Sequence, residues 1–373
     1  MSSIADKIKY QVSSDNFLVV DIGTQNMKVM EVKRKGQTFQ IKKAFTISEM
    51  TKFFTGPDMF NVNGIVESLS QILQLERIKT KNILLSFSAG KLQSKIISVP
   101  ELPDKELRTF VELEYPKQLQ NYNKMTDVVD YMPLGTFTKP NSNQKQLSVL
   151  LASYPIIDAE RIIKEFQKKK YKVNVIEVDV AALGNVGRIY NESDSEDIVV
   201  LHVGHNISQM VFLKADAVVF SRTVAFGMGN LIKSIQNQED ISFAQAESIV
   251  KEVGLQANED IQSDNFTIFA DDYNDIVEQY LTNTLNDVYR SFQSVNSNYG
   301  LSISNVLLTG GFSSVEGSQE ISQRILEMSV EEFYIENGEK IRLENGITIV
   351  NDTEKNIDGV YAICLGTAIR DTF

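Results

Sequence analysis

The sequence predicts a duplicated α/β fold of two lobes, each headed by a β-hairpin that turns on a glycine. Three observations carry this expectation. Phe17-Leu-Val-Val-Asp-Ile-Gly-Thr-Gln-Asn-Met-Lys-Val-Met-Glu-Val-Lys33 is matched half a chain later by Ile198-Val-Val-Leu-His-Val-Gly-His-Asn-Ile-Ser-Gln-Met-Val-Phe-Leu-Lys214. Both segments run as a β-branched strand, a glycine turn and a second strand, and both end in a polar hairpin, Arg34-Lys35-Gly36-Gln37 or Lys214-Ala215-Asp216. The size agrees: 373 residues hold two or three domains or one composite fold, and 42% hydrophobic with 23% charged residues is the composition of a soluble globular chain.

Composition also excludes classes of function. Lys and Arg number 37 against 49 Asp and Glu, a net charge of −12. Such a surface repels phosphate backbones, so no nucleic-acid partner is expected. The lone Cys364 can form no intrachain disulfide and no thiolate metal cluster. The two histidines, His202 and His205, share one segment, so any histidine-based site has to be built there. No apolar run is long enough to span a membrane, and the first ten residues lack the apolar core of a secretory signal. A cytoplasmic protein without direct membrane insertion is expected.

Each element in order has a chemistry. The first hairpin reads as a phosphate cradle. Gly23 lets backbone approach an anion, Thr24, Gln25 and Asn26 add donors, and Lys28 adds positive charge. Asp21, just before the turn, can orient a magnesium ion through its waters. Residues 95–116 read as a strand, a turn at Pro100 and Pro103, and a helix capped by Asp104. Strands near Val128–Tyr131 and at Gln146–Ser153, then a helix at Ile157–Lys170, follow. The second hairpin places Gly204, His205 and Asn206 where the first has Gly23, Thr24 and Gln25, so that two facing turns could clasp a triphosphate. The helix Ser242–Gly254 carries Glu247 and Lys251 four apart on one face. They could reach ribose hydroxyls, or form a surface ion pair of only ~0.3–0.5 kcal/mol. Val306-Leu-Leu-Thr then runs into Gly310 and Gly311, which let backbone lie against a flat ring or ribose, with Ser313 or Ser314 available to cap the next helix.

Together these elements resemble the actin-like ATPase superfamily of actin, heat-shock chaperones, sugar kinases and the FtsA family, whose fold is two-lobed and ribonuclease H-like. The order matches: hairpin one at Asp21–Lys28, hairpin two at His202–Gln209, an Ala-Glu-x-x-x-Lys helix at Ala246–Lys251, an adenosine loop at Gly310–Phe312, and a last helix with Gly359 and Gly366. Phe226-Gly-Met-Gly-Asn230 is similar to the superfamily's Gly-Gly-Asn helix start and adds Gly229 to the expected site. The insert, roughly Ser86 to Tyr171, resembles the 1C-type subdomain of the FtsA and PilM families. Ile97-Ser-Val-Pro100, Glu112-Leu-Glu-Tyr-Pro116 and Val173-Asn-Val-Ile-Glu-Val-Asp-Val-Ala-Ala-Leu183 are similar to the PilM family of type IV pilus machines in particular.

That resemblance implies a division of the chain. It runs as an arm (1–14), the first part of subdomain 1A (15–85), the 1C-type insert (86–171) and the rest of 1A (172–196). Subdomain 2A (197–236), subdomain 2B (237–300), the rest of 2A (301–352) and a C-terminal helix of 1A (353–373) follow. It implies ATP or ADP with magnesium as cofactors. The implied partner is the N-terminal cytoplasmic segment of a PilN-like bitopic membrane protein, held between 1A and 1C, with other pilus platform or motor components beyond it. The implied location is peripheral, at the inner face of the cell membrane through that partner. FtsA proteins are expected to end in a linker and a membrane-binding helix, whereas this sequence stops at Thr367-Ala-Ile-Arg-Asp-Thr-Phe373. Ile4–Val12 carries too few apolar positions to hold a membrane and reads as a frayed arm.

One departure bears on activity. His202 stands where the superfamily pattern has an acidic residue before the second turn. Imidazole is a poor magnesium ligand, because magnesium prefers hard oxygen. Negligible hydrolysis is expected, and with it a scaffold rather than a phosphotransferase of the sugar-kinase type. A filament-forming division protein of the FtsA type is the remaining alternative.

Overall fold

Both halves of the repeat build a hairpin plus one further strand. The computed structural model describes residues 16–56, 59–87, 91–140, 144–191, 196–343 and 345–370. The expected N-terminal arm lies outside them. The first half begins with β1 (Asn16–Ile22), β2 (Met27–Lys35) and β3 (Thr38–Ile47). A small ribbon of β4 (Phe54–Gly56) and β5 (Met59–Phe60) leads to α1 (Val62–Leu75) and β6 (Asn82–Phe87). The insert holds β7 (Gln93–Pro100), α2 (Asp104–Gln118), β8 (Asp127–Thr138) and β9 (Lys145–Pro155). Then come α3 (Ile156–Lys168), β10 (Lys172–Glu177) and α4 (Asp179–Tyr190).

The second half opens on β11 (Ile198–Val203), β12 (Ser208–Lys214) and β13 (Ala217–Val224). Helices α5 (Met228–Glu239) and α6 (Phe243–Val253) follow, then the short pair β14 (Ile261–Gln262) and β15 (Thr267–Ile268). After α7 (Ala270–Tyr299) come β16 (Asn305–Gly310), α8 (Ser318–Leu326) and β17 (Ser329–Glu332). The chain ends through β18 (Tyr334–Ile335), β19 (Lys340–Arg342), β20 (Thr348–Asn351), β21 (Ile357–Asp358) and α9 (Ala362–Ala368).

The duplication is visible in the pairing. One sheet has the order β10-β6-β1-β2-β3-β20-β19, the other β13-β12-β11-β16-β17. In each, the first strand of the hairpin is antiparallel to the second and parallel to a later strand, β6 or β16. Asp21 lies between Lys28 and Ser86, and His202 between Gln209 and Thr309. Helices α4 and α9 separate the two sheets. Glycines make this possible: a Cβ on Gly187 would lie 2.9 Å from Leu213, and one on Gly366 would overlap the Ala182 carbonyl oxygen of α4.

Helix ends follow local chemistry. Asn61 caps α1 by accepting from the Gly64 amide at 3.0 Å, and α6 starts on a reciprocal Ser242–Gln245 capping box. The 30-residue α7 turns a face of Tyr273, Ile276, Val277, Leu281, Leu285, Val288, Phe292 and Val295 to the second core and stops at Gly300.

Four details differ from the sequence reading. Pro103, not Asp104, is the residue before α2; Asp104 is the first helical residue and acts only on the helix dipole. Strand β8 runs on to Thr138 through an irregularity at Pro133–Thr136, where Gly135 has φ +104°. Helix α3 packs on α1 and β10, with Ile162 and Phe166 in the core under the first sheet. Residues Lys340–Asn351, read as part of the second lobe, extend the first sheet, because Thr348–Asn351 pairs with Thr38–Ile41.

A cleft between two glycine turns as the candidate functional site

The ends of β1 and β11 bring the two turns face to face. Each turn is closed by its own backbone, Gly23 N–H to Asn26 O at 3.1 Å and Gly204 N–H to Ile207 O at 3.0 Å. The amides of Thr24, Gln25, His205 and Asn206 donate to no backbone carbonyl among the described residues. They form two small nests of free donors, the arrangement that receives anions. The tips touch: Asn206 Nδ2 donates to Thr24 Oγ1 at 3.1 Å. Gln25 Nε2 reaches Glu247 Oε1 on α6 at 2.9 Å. Both contacts are made by rotatable side chains, which an anion entering the cleft can displace.

Behind the tips the two lobes differ in charge. Lys28 Nζ lies 3.4 Å from Asp21 Oδ2, and both side chains are nearly buried. Ser86, the register partner of Asp21, donates to Asp179 Oδ1 at 2.5 Å. Asp179 opens α4 and is buried. It was not expected as a site residue. The available signal was an acidic residue directly after a β-branched strand, at a helix start where a carboxylate is favoured. In the second lobe the same register position holds neutral chemistry, since His202 Nδ1 meets Thr309 Oγ1 at 3.1 Å. Burial, and then the Lys28 ammonium, push the His202 pKa down to about 3. The imidazole is uncharged at ordinary pH.

This has a consequence for stability. Unfolded histidine binds a proton near pH 6.5 and buried His202 does not. Stability is therefore full above that pH and is lost as pH falls, with a slope approaching about 1.4 kcal/mol per pH unit down to about pH 4. Thermal melts of His202→Asn are expected to show a flatter acid limb, with a residual slope from His205. An acid limb identical to wild type would contradict the burial of a neutral imidazole.

His205 sits over the start of α5. A Cβ on Gly229 would lie 2.7 Å from its Nε2, and the ring meets Phe243 edge-on at 6.2 Å. Burial lowers its pKa, Glu247 opposes this, and Lys233 and Lys251 reinforce it. The first amides of α5 are spent on the second turn, Met228 N–H on Gly204 O and Gly229 N–H on His205 O. Glu247 pairs with Lys251 at 3.0 Å and also holds Gln25, so it bridges the cleft as well as forming the i, i+4 pair.

The third loop is split in character. Gly310 has φ +90°, and a Cβ there would overlap the Val203 carbonyl oxygen, whereas a Cβ on Gly311 would meet nothing within 4 Å. Gly311 thus borders open space. Phe312, expected beside a nucleoside, is only 2% exposed and packs in the second core, so its ring is structural. Ser313 and Ser314 do not cap α8; they turn back to the Gly310 and Gly311 carbonyls, and Gly317 precedes the helix. Among the described residues no three His, Cys, Asp or Glu side chains gather into a metal cluster.

A family model described as type IV pilus assembly protein PilM matches residues 19–372. The chain belongs to the PilM family. Among solved structures, a PilM-PilN type IV pilus biogenesis complex matches with a TM-score of 0.73 at 17% identity, covering 95% of this chain and 98% of that one. MreB 5 of Spiroplasma citri bound to AMPPNP matches with a TM-score of 0.52 at 10% identity and 96% coverage of both chains. Ethanolamine utilization protein EutJ from Carboxydothermus hydrogenoformans gives 0.51 at 11% identity, covering 98% of this chain and 93% of that one. At these identities the structural matches show a shared fold, and that fold is actin-like. No helix among the described residues is long and apolar enough to cross a membrane.

Proposed function

We propose that this PilM-family chain is a nucleotide-binding scaffold of a type IV pilus machine. It holds ATP or ADP between the two glycine turns and presents the first lobe and its insert to the N-terminal segment of a PilN-like membrane protein. The opposed nests at Thr24–Gln25 and His205–Asn206 carry the nucleotide half of this reading. The family match and the fold shared with a PilM-PilN complex support the partner half. The turns and Lys28 would receive the phosphates, and the open space at Gly311 the nucleoside. Asn26 and Gly229 shape the turn and helix start beside them. Magnesium, when bound, would neutralise phosphate charge, and Asp21, once released from Lys28, would be the carboxylate to hold its waters. Binding would exchange the Asn206–Thr24 and Gln25–Glu247 contacts for contacts to the ligand, so that ligand sets how the lobes meet.

At the seam between insert and lobe, Met125 and Ile157 are 88% and 75% exposed, and Ile156 N–H donates to Thr126 O. Two large apolar side chains on a fixed backbone offer a foothold for an apolar peptide.

Turnover should be negligible. Phosphoryl transfer works by positioning and charge neutralisation, and loss of a positioning group costs on the order of 10²–10³ in rate. His202 is neutral and bonded to Thr309, so it supplies neither metal ligand nor base. A steady-state assay is expected to show turnover far below about 1 per second, with some gain in His202→Asp. Wild-type turnover at kinase rates of about 1–100 per second would move the protein to the phosphotransferases.

A further inference from the structure

The base of the first lobe, opposite the cleft, is basic in a chain whose net charge is −12. Helices α1 and α3 lie side by side on one face of the sheet and end where β6 and β10 begin. Their exit turns are alike. Arg77 and Ile78 donate to Gln74 O and Leu73 O; Lys170 and Tyr171 donate to Gln167 O and Phe166 O. Each is a Schellman cap closed by an apolar contact, in which the residue after the cap is left-handed. That place is usually glycine. Here it is Arg77 at φ 55° and Lys170 at φ 62°, at a conformational cost of about 1–2 kcal/mol each. Two adjacent helix ends thus keep long basic side chains where glycine is cheaper.

The surroundings extend the charge. Lys79, Lys81, Lys169 and Lys172 are exposed on the same two connections, and the Lys172 amide donates to Lys81 O at 2.8 Å. Lys81 lies over the Tyr171 ring at 4.3 Å and Lys169 pairs with Glu67 at 2.5 Å. Arg77, Lys79 and Lys170 make no ion pair among the described residues. The nearby carboxylates are engaged, Glu76 with Lys43 and Glu31 with the Thr80 hydroxyl. Leu75 stands 75% exposed beside Arg77.

We infer that this base docks on the surface of an anionic lipid bilayer. Four to eight clustered basic residues attract an anionic leaflet without needing a groove, and the charge here is mostly lysine on flexible stems. Leu75 can dip into the headgroup layer. The contact is peripheral and reversible, and it leaves the Met125–Ile157 seam on another part of the lobe free. It does not rest on the nucleotide or peptide readings.

The test is co-sedimentation of the full chain with phosphatidylcholine vesicles, with and without one-third phosphatidylglycerol. Binding only to the anionic vesicles is expected, and it should fade at about 1 M salt, where the screening length is about 3 Å. The decisive variant is the pair Arg77→Gly and Lys170→Gly. Glycine fits both left-handed positions, so the melting temperature should hold or rise, while vesicle affinity falls about 25-fold at about fivefold per basic residue. Equal binding to neutral vesicles, no binding to anionic ones, or unchanged affinity in the double variant would overturn the inference. So would binding to polyglutamate without binding to vesicles, which would assign the face to an acidic protein.

Discussion

Replacing Gly366 by alanine is expected to lower the melting temperature more than any other single methyl group added to this protein. At Gly366 the α9 helix packs directly on the backbone of α4, and a Cβ there would overlap the Ala182 carbonyl oxygen. A backbone oxygen cannot rotate away as a side chain can. The two helices carry the first sheet on one side and the second on the other, and Asn185 of α4 already bonds the Gly366 carbonyl at 2.9 Å. Overpacking usually costs about 1–3 kcal/mol and more where backbone must move. Alanine's better helix propensity returns only about 1 kcal/mol. The clash wins, by several degrees in a thermal melt. A melting temperature at or above wild type would mean that α4 and α9 do not cross as described.

The second large effect is on ligand binding without loss of fold. Gly311→Asp places a carboxylate in the space that borders the third loop, where an added Cβ meets no atom. The melting temperature should therefore be unchanged. ATP affinity should fall about tenfold, because the added side chain would take space that the nucleoside needs and its carboxylate would repel the phosphates of the same ligand. Gly310→Asp is the contrasting variant. It strains a left-handed backbone and strikes the Val203 carbonyl, so it should destabilise the protein as well. Unchanged ATP affinity in Gly311→Asp would remove the third loop from the site.

Much of this architecture was legible because it is written in local pattern. The repeat of Phe17–Lys33 in Ile198–Lys214 needs only strand periodicity and a glycine, and it gave the paired hairpins. The position of His202 opposite Asp21 followed from the same alignment. Other features depend on contacts far apart in sequence. Nothing local says that Gln25 will reach Glu247, or that Asn206 will reach Thr24, since each is a polar residue with many possible partners. Phe312 is expected beside the nucleoside because it closes the Gly310–Phe312 loop, but the turn Gly311–Ser314 points its ring into the core with Tyr280 and Leu285. Residues Lys340–Asn351 join the first sheet through parallel pairing with a strand three hundred residues earlier, a choice that no local propensity encodes. The Arg77 and Lys170 caps were missed because a helix end without glycine carries weaker sequence punctuation.

The central claim, a scaffold that presents its first lobe to a membrane protein's cytoplasmic tail, is tested most directly by calorimetric titration. The purified chain would be titrated with a synthetic N-terminal peptide of the PilN-like protein of the same pilus machine, with and without ATP. One-to-one binding is predicted, stronger with ATP, and lost in Ile157→Asp while that variant's melting temperature is kept. No binding in either condition, from a folded chain, would contradict the scaffold account.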